Sequence, residues 1–486
     1  MIFCSFQYFL FLPMVFLIFT RINDTGRKWL LLAASVLFYA ALGVPYLLLA
    51  LLAVTVITYF SGLAIGRADA GPARKRVFRL GVAGNLLVLC SMKYAGVFAG
   101  SLAILSGWFG RPGAISSVGV IVSIGVSYYV FQAISYLIDI FLEIEQPERD
   151  FGYFALYLSF FPKLLQGPIE RSGDLLPQLR APYAFNYDNV RSGLLLFTWG
   201  MFKKLVVADR LGLFVDYVYG NVHGHSGTAM VLATYMYAFQ LLFDFSGYTD
   251  MALGTARVFN INLTQNFNSP YLARSVADFW RRWHISFSRW ILDYIFRPLQ
   301  MLWRDLGNRG AAAALLVTFL VSGIWHGARW GFVVWGLLHG IYLAASVFYR
   351  PLQKRLHKRA GLQGTLTLKV WQTFVTFNLV SLAWVFFRAD TIADAWYVVS
   401  HSRSSITTAL FTGNVADLLL PRQAGNIFFQ SLPVLIVPLI VFLVKDRINF
   451  YAKPRWFRLA TYYILVYSVL FFSVINSKTQ FVYFQF

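Results

Sequence analysis

The sequence has few charged residues and almost no cysteine. Only 13% of its 486 residues are charged and 58% are hydrophobic, whereas charged residues make up roughly 25% of a soluble globular protein. The two cysteines, Cys4 and Cys90, lie in apolar stretches, which argues against a disulfide framework or a cysteine-based metal site. Long apolar runs recur from end to end and exclude disorder. The composition therefore predicts an all-α, polytopic membrane protein.

Acidic residues are half as frequent as basic ones, with 21 against 42, which gives a net charge of +21. In a soluble protein this excess would indicate nucleic-acid binding. Here the basic residues cluster between apolar runs, which is the positive-inside pattern of cytoplasmic loops. We therefore expect a lipid bilayer, and no nucleic acid, as the partner. Three such clusters, at 67–79, 350–359 and 445–458, are expected to face the cytoplasm.

Charge-poor windows of about 20 residues predict eleven or twelve transmembrane helices, some short enough to be re-entrant. The first window has no positively charged segment before it, so we expect a retained helix rather than a signal peptide. The windows are 2–20, 30–44, 46–65, 80–107, 118–142, 193–207, 230–245, 311–325, 331–348, 370–387, 432–444 and 459–475.

Two segments, 161–191 and 260–309, are too polar to span a membrane. The first contains four prolines and cannot form one regular helix. Non-helical backbone at membrane depth is tolerated only when buried or lining a wet cavity. We expect one polytopic domain around an internal cavity or channel, with N-terminal helices at 1–117, a catalytic core at 118–348 and C-terminal helices at 349–486.

His326 is the most informative polar residue, since it ends a very apolar segment between Trp325 and Gly327. An ionisable side chain at membrane depth indicates a functional site, and a buried neutral imidazole can act as a general base. A core histidine bonded to backbone is the equally weighted alternative. His339, thirteen residues later, would lie about 140° away on a continuous helix and is expected to be structural.

His284 follows two arginines and a tryptophan. If this segment is helical, Trp280, His284 and Ser288 share one face. Arg281 and Arg282 are suited to phosphates or an anionic carrier, although they are equally typical of a membrane-surface anchor. Asp244 ends another apolar run and needs a partner; it could orient a histidine, pair with an arginine or cap a helix.

Several enzyme classes lack their motifs here, because the sequence contains no GxSxG, GxGxxG, Walker A or HExxH pattern. No histidine is followed by aspartate four or five residues later. A proton-relaying transporter or flippase, or a haem protein with His284 and His326 as axial ligands, are the rival classes. A transporter would often show paired repeats, and none is evident.

The sequence resembles the membrane-bound O-acyltransferase family, in the bacterial branch that acetylates alginate or D-alanylates teichoic acids. The resemblance covers nearly the whole chain. It is carried by the Asp244, Trp283–His284 and Trp325–His326 motifs and by the segments 125–139, 166–171 (QGPIER), 266–271 (NFNSPY), 384–389 (WVFFRA) and 481–486.

The resemblance implies a multi-pass protein of the bacterial plasma (inner) membrane that binds no cofactor. It would transfer an acyl group, most simply acetyl, from a cytoplasmic acetyl-CoA or acyl-carrier thioester to an extracytoplasmic polysaccharide, often with a periplasmic or membrane partner acyltransferase subunit. His326 and His284 map onto the family's two characteristic histidines and are the expected catalytic residues. Asp244, Arg282, Trp325 and Asn266 are the expected substrate-binding residues.

One departure from the alginate-type pattern follows Phe296. That pattern continues with Pro-Leu-Gly-Gly-Asn-Arg, whereas this chain has a longer, less glycine-rich stretch at 297–309. This stretch is nearer to the D-alanyl transferases, while the surroundings of His326 are nearer to the alginate type. Acetyl transfer is the favoured expectation, and D-alanyl transfer is the alternative.

Overall fold

The computed structural model describes residues 1–108, 124–402, 422–444 and 452–474. Within those ranges the regular structure is entirely helical. Part of the predicted 118–142 span, part of the third basic cluster and the 481–486 segment lie outside the described residues.

The chain divides into two compact units. Unit 1 comprises residues 1–197 and 248–265, and unit 2 comprises 198–247 and 266–486. The first helices are α1 (Phe6–Arg21), α2 (Asp24–Ala40), α3 (Pro45–Arg67), α4 (Pro72–Trp108), α5 (Val126–Phe141), α6 (Phe151–Ser159), α7 (Ser172–Arg180) and α8 (Tyr187–Met201). The long helix α10 (Gly227–Val258) belongs to unit 2 up to residue 247 and to unit 1 beyond it.

Unit 2 begins with the last residues of α8, which continue into a π-helical segment, Phe202–Ala208, and then into α9 (Asp209–Tyr219). Short helices α11 (Val276–Trp280), α12 (Ile285–Ile291) and α13 (Arg297–Leu302) follow α10, with a second π-helical segment at Leu292–Phe296. The remaining helices are α14 (Gly307–His326), α15 (Trp330–Arg359), α16 (Leu366–Arg388), α17 (Ile392–His401), α18 (Arg422–Ser431), α19 (Pro433–Val444) and α20 (Arg455–Phe472).

Seven helical segments in the described part of the chain are long and apolar enough to cross a membrane, which confirms an all-α polytopic membrane protein. These seven coincide with predicted windows. The other five windows fall on helices of 15 to 18 residues. The basic cluster at 350–359, predicted as a loop, instead forms the last turns of α15.

Local signals in the sequence start the helices. Side chains of Asn23, Asp150, Ser275, Thr365 and Thr391 cap α2, α6, α11, α16 and α17 by accepting a hydrogen bond from a backbone N–H in the first turn. The prediction that 161–191 is not one helix is confirmed, because a buried irregular stretch precedes α7 there. The segment 260–309 is likewise divided into short helices.

Helices α14 and α15 form a tightly packed hairpin in unit 2. A Cβ atom added at Gly323 would lie 2.4 Å from the Phe332 carbonyl oxygen, and one at Gly336 would lie 2.4 Å from the Phe319 carbonyl oxygen. Only glycine allows the two backbones to approach this closely. The hairpin therefore holds the end of α14, where His326 lies, against α15.

Candidate active site

His326 is the last residue of α14 and its side chain is buried. The prediction that it ends an apolar helix is confirmed. Aromatic rings surround the imidazole: its ring centroid lies 4.9 Å from that of Trp335 and 5.1 Å from that of Phe387, both edge-on, and 4.6 Å from that of Trp325. This aromatic environment shields the imidazole from bulk water.

His284 lies in the turn between α11 and α12, with φ of 42° and ψ of 56°. The predicted common helical face of Trp280, His284 and Ser288 is therefore wrong, because the helix stops at Trp280 and restarts at Ile285. The side chain of His284 is buried, and burial lowers its pKa to about 3. Its imidazole is consequently neutral at physiological pH.

Asn266 fixes the backbone immediately after His284. Its side-chain oxygen accepts a hydrogen bond of 3.0 Å from the Ser286 N–H, and its carbonyl oxygen accepts one of 2.9 Å from the Ile285 N–H. The resemblance gives Asn266 a substrate-binding role. The structure shows it satisfying two N–H groups at the start of α12, which the helix itself cannot satisfy. A direct contact of Asn266 with substrate remains a prediction.

The two candidate catalytic histidines contact one phenyl ring, that of Phe287 on α12. Its centroid lies 5.1 Å from the His284 ring and 6.3 Å from the His326 ring. Phe287 also stacks on Trp325, with ring centroids 4.5 Å apart. The structure thus brings three predicted site residues, His284, His326 and Trp325, around one side chain that the sequence analysis did not single out.

Arg282 precedes His284 by two residues, and its Nε donates to the Asp278 carboxylate over 3.1 Å. Its side chain is about one-third exposed. This ion pair joins residues four apart in sequence. The predicted substrate-binding role of Arg282 stays a prediction.

Asp244 is buried, and its carboxylate pairs with Lys204 on the π-helical segment. The same ammonium group lies 2.8 Å from the Asp209 carboxylate. Sequence analysis proposed an arginine or histidine partner and did not single out Lys204. The signal was present, since Lys203 and Lys204 interrupt the predicted 193–207 span, and charges inside such a span indicate function.

The π-helical segment explains how both lysines point inward. An extra residue per turn locally rotates the following side chains, and the Lys203 ammonium donates to the Ser246 hydroxyl over 3.0 Å. Close backbone approach accompanies this: a Cβ atom added at Gly247 would lie 2.8 Å from the Gly200 carbonyl oxygen.

His339 lies on α15, on a different helix from His326, so the two do not belong to one continuous helix. Its Nδ1 accepts a hydrogen bond of 3.2 Å from the Trp280 indole N–H. This bond ties α15 to the end of α11, just before the His284 turn. The geometry agrees with the structural role expected for His339.

Unit 1 contains a second buried polar group, in the 166–171 segment. The Glu170 carboxylate accepts hydrogen bonds from the Thr264 N–H at 2.6 Å and from the Thr264 hydroxyl at 2.9 Å. Burial raises the pKa of Glu170 to about 7, against the lowering effects of these bonds and of Lys163. Lys163 is itself buried and donates to the Gln132 side-chain oxygen.

The arrangement in unit 2 is suited to proton transfer. A neutral imidazole shielded from water can accept a proton from a hydroxyl group and return it to a leaving group. Among the described residues no group of three or more His, Cys, Asp or Glu side chains is placed to hold a metal ion.

Comparison with known proteins shows the family to which the chain belongs. The family profile described as MBOAT, membrane-bound O-acyltransferase family, matches residues 147–387. A peptidoglycan O-acetyltransferase of Helicobacter pylori is 32% identical and aligns over 98% of this chain and 96% of its own length. The chain belongs to the membrane-bound O-acyltransferase family. The resemblance found in the sequence is thereby confirmed.

Other members of the membrane-bound O-acyltransferase family match over different shares of the chain. A probable alginate O-acetylase of Pseudomonas aeruginosa is 36% identical over 84% of this chain and 76% of its own length. A teichoic acid D-alanyltransferase of Streptococcus thermophilus is 29% identical over 56% of this chain and 70% of its own length. The protein is accordingly an O-acyltransferase, rather than a transporter or a haem protein.

Proposed function

We propose that this protein transfers an acetyl group from a cytoplasmic thioester to hydroxyl groups of an extracytoplasmic polysaccharide, with His326 as the general base. The observation that carries the proposal is the buried imidazole of His326, which ends an apolar helix within a shell of aromatic rings. The thioester is acetyl-CoA or an acyl-carrier thioester. No bound cofactor takes part in the proposal.

The proposed step balances as a simple acyl transfer. His326 accepts the proton of the acceptor hydroxyl while the oxygen of that hydroxyl forms a bond to the thioester carbonyl carbon. The carbon–sulfur bond then breaks, the thiolate takes up the proton from His326, and the products are an O-acyl ester and a free thiol. An intermediate carrier hydroxyl could receive the acyl group by the same chemistry before the polymer does.

His284 is proposed as the second catalytic residue, because its imidazole contacts the same Phe287 ring as His326. Its neutral form can donate one hydrogen bond and accept another. Such a donor would stabilise the negative charge that develops on the thioester carbonyl oxygen. Asp244, Arg282, Trp325 and Asn266 are retained as substrate-binding candidates.

Acetyl is proposed over D-alanyl because the O-acetylating relatives match more of the chain. They are 32% and 36% identical over 98% and 84% of it, whereas the D-alanyltransferase is 29% identical over 56%. The polymers named for these relatives are peptidoglycan and alginate, so a glycan hydroxyl is the proposed acceptor. We place the protein in the bacterial plasma membrane, with a periplasmic or membrane partner acyltransferase subunit completing transfer.

The test measures ester-linked acyl groups on cell-surface polymers by mass spectrometry. Cells carrying the unchanged protein are compared with cells carrying His326→Ala or His326→Gln at matched membrane abundance. His401→Ala is the control, because His401 ends α17 and its side chain is exposed. We expect the His326 variants to lose one acyl species and the control to keep it.

The mass of the lost group also separates the two chemistries, since acetyl and D-alanyl esters differ in mass. Loss of a D-alanyl ester would contradict acetyl transfer while preserving the role of His326. Unchanged acylation in both His326 variants would show that His326 is not the general base for those polymers.

A further inference from the structure

Unit 2 carries a groove that the proposed reaction does not use. It lies between the α11–α12 segment and the α14–α15 hairpin and has a volume of about 420 Å³. Pockets that bind small molecules typically have volumes of about 300–1,000 Å³. Its floor is apolar and is formed by Trp280, Leu315, Phe319 and Leu343.

Two arginines, Arg281 and Arg289, line the same groove, and the side chains of both are exposed. Arg281 lies 3.5 Å from the Asp278 carboxylate, which Arg282 approaches more closely, at 3.1 Å. Arg289 forms no ion pair with any residue in the described ranges. One shared carboxylate leaves an excess of positive charge beside the apolar floor.

The basic end of α15 indicates where in the bilayer the groove lies. The Arg350 guanidinium donates to the Ser275 hydroxyl, at the start of α11, over 3.3 Å. Leu343 precedes Arg350 by two helical turns, which corresponds to about 10 Å along α15. The cluster at 350–359 carries the positive charge expected on the cytoplasmic side. The groove therefore begins near the cytoplasmic headgroups and extends among the acyl chains.

We propose that this groove is a binding site for an anionic phospholipid of the cytoplasmic leaflet. An acyl chain would lie on Trp280 and Phe319, and the phosphate would contact Arg281 and Arg289. Basic pockets between transmembrane helices on this side are suited to acidic headgroups. A free phosphate would meet only exposed arginines, and exposed ion pairs are worth little in water. The apolar floor therefore favours a lipid over a soluble phosphate.

The test is native mass spectrometry of the full-length protein purified in detergent. Dioleoyl phosphatidylglycerol and dioleoyl phosphatidylcholine are added at equal concentrations, and the lipids retained per protein are counted. We expect the anionic lipid to be retained about tenfold more than the zwitterionic one. Arg281→Gln/Arg289→Gln should remove this preference. Lys354→Gln/Arg355→Gln, the same charge change on α15 outside the groove, should preserve it.

A second variant tests the shape of the groove without changing its charges. Ala277→Trp adds bulk to the groove wall while leaving both arginines in place, and should also remove the preference. Thermal unfolding identifies any variant that fails to fold, and Ser288→Leu, at an α12 residue that lines the groove, then replaces Ala277→Trp.

Several outcomes would overturn the proposal. These are equal retention of the two lipids, a preference that survives Arg281→Gln/Arg289→Gln, and a preference abolished by Lys354→Gln/Arg355→Gln. Displacement of the lipid by glycerol phosphate at equal concentration would show a site for phosphate alone. Displacement by acetyl-CoA at equal concentration would instead assign the groove to the acyl donor.

Discussion

The ammonium nitrogen of Lys204 lies 2.6 Å from a carboxylate oxygen of Asp244, with both side chains at most 3% exposed. Asp209 is the third member of this buried group. Two carboxylates share one ammonium, so the lysine charge is what makes their burial tolerable. Its three members lie on the π-helical segment, at the start of α9 and on α10, in the same unit as His284 and His326.

Replacing Lys204 by Met should destabilise the protein by about 3–5 kcal/mol, because two buried carboxylates lose the ammonium group that they share. Adding Asp244→Asn to Lys204→Met should recover part of this loss, since one negative charge is removed. Thermal unfolding in detergent measures both effects. Lys354→Met on the exposed end of α15 is the control, and a single variant as stable as the unchanged protein would contradict the prediction.

The left-handed backbone conformation of His284 allows its effect on stability to be measured separately from its effect on acyl transfer. A residue with φ of 42° is left-handed, and asparagine adopts this conformation more readily than alanine, which pays about 1–2 kcal/mol. We expect His284→Asn to unfold at a higher temperature than His284→Ala, while both lose most acyl transfer. Full acyl transfer by a well-folded His284→Asn would show that His284 is not catalytic.

Removing the side chain of Asn266 should act through the start of α12. Asn266→Ala leaves the Ser286 N–H without its acceptor, and an unsatisfied buried donor costs about 1–3 kcal/mol. Asn266→Ser keeps a side-chain oxygen that can accept a hydrogen bond without burying a charge at this fully buried position, and should restore part of the stability. Equal unfolding temperatures for the two variants would count against this role.

Glu170 should make the stability of the protein depend on pH. Its folded-state pKa of about 7 lies above the ordinary 4.5, so the folded protein binds more protons than the unfolded chain between these values. Stability therefore falls as pH rises through this window. We expect Glu170→Gln to match the unchanged protein near pH 5 and to exceed its unfolding temperature near pH 8.

The control for Glu170 is Asp305→Asn, at a side chain that is 91% exposed. Its difference from the unchanged protein should stay constant over the same pH range. A Glu170→Gln difference that is also constant would show that Glu170 does not titrate differently in the folded state.

Long apolar runs were enough to predict the helical, membrane-spanning fold, because windows of about 20 residues depend on composition alone. The same reasoning located His326 at the end of its helix. The same reasoning was wrong at His284. Residues 280–288 are compatible with one continuous helix, and the left-handed turn at His284 arises from tertiary contacts. The packing of Asn266 against that turn joins residues about twenty apart and leaves no periodic signal.

The partner of Asp244 could not be read from sequence for a related reason. Lys204 precedes it by forty residues, and the π-helical turn that directs Lys204 inward has no recognised sequence signature. Phe287, which contacts both histidines, is one of 47 phenylalanines. Nothing in its local sequence distinguishes it from the rest. Long-range contacts of this kind follow from tertiary packing alone.

The interleaved course of the chain through the two units has a consequence for biosynthesis. Unit 1 includes residues 248–265, so its final segment is synthesised only after the first fifty residues of unit 2. An N-terminal fragment that ends at residue 197 would lack Thr264, the partner of Glu170, and Thr255, whose hydroxyl lies 2.8 Å from that of Tyr8. During synthesis, the first helices of unit 1 can therefore complete their packing only after residues 248–265 have been made.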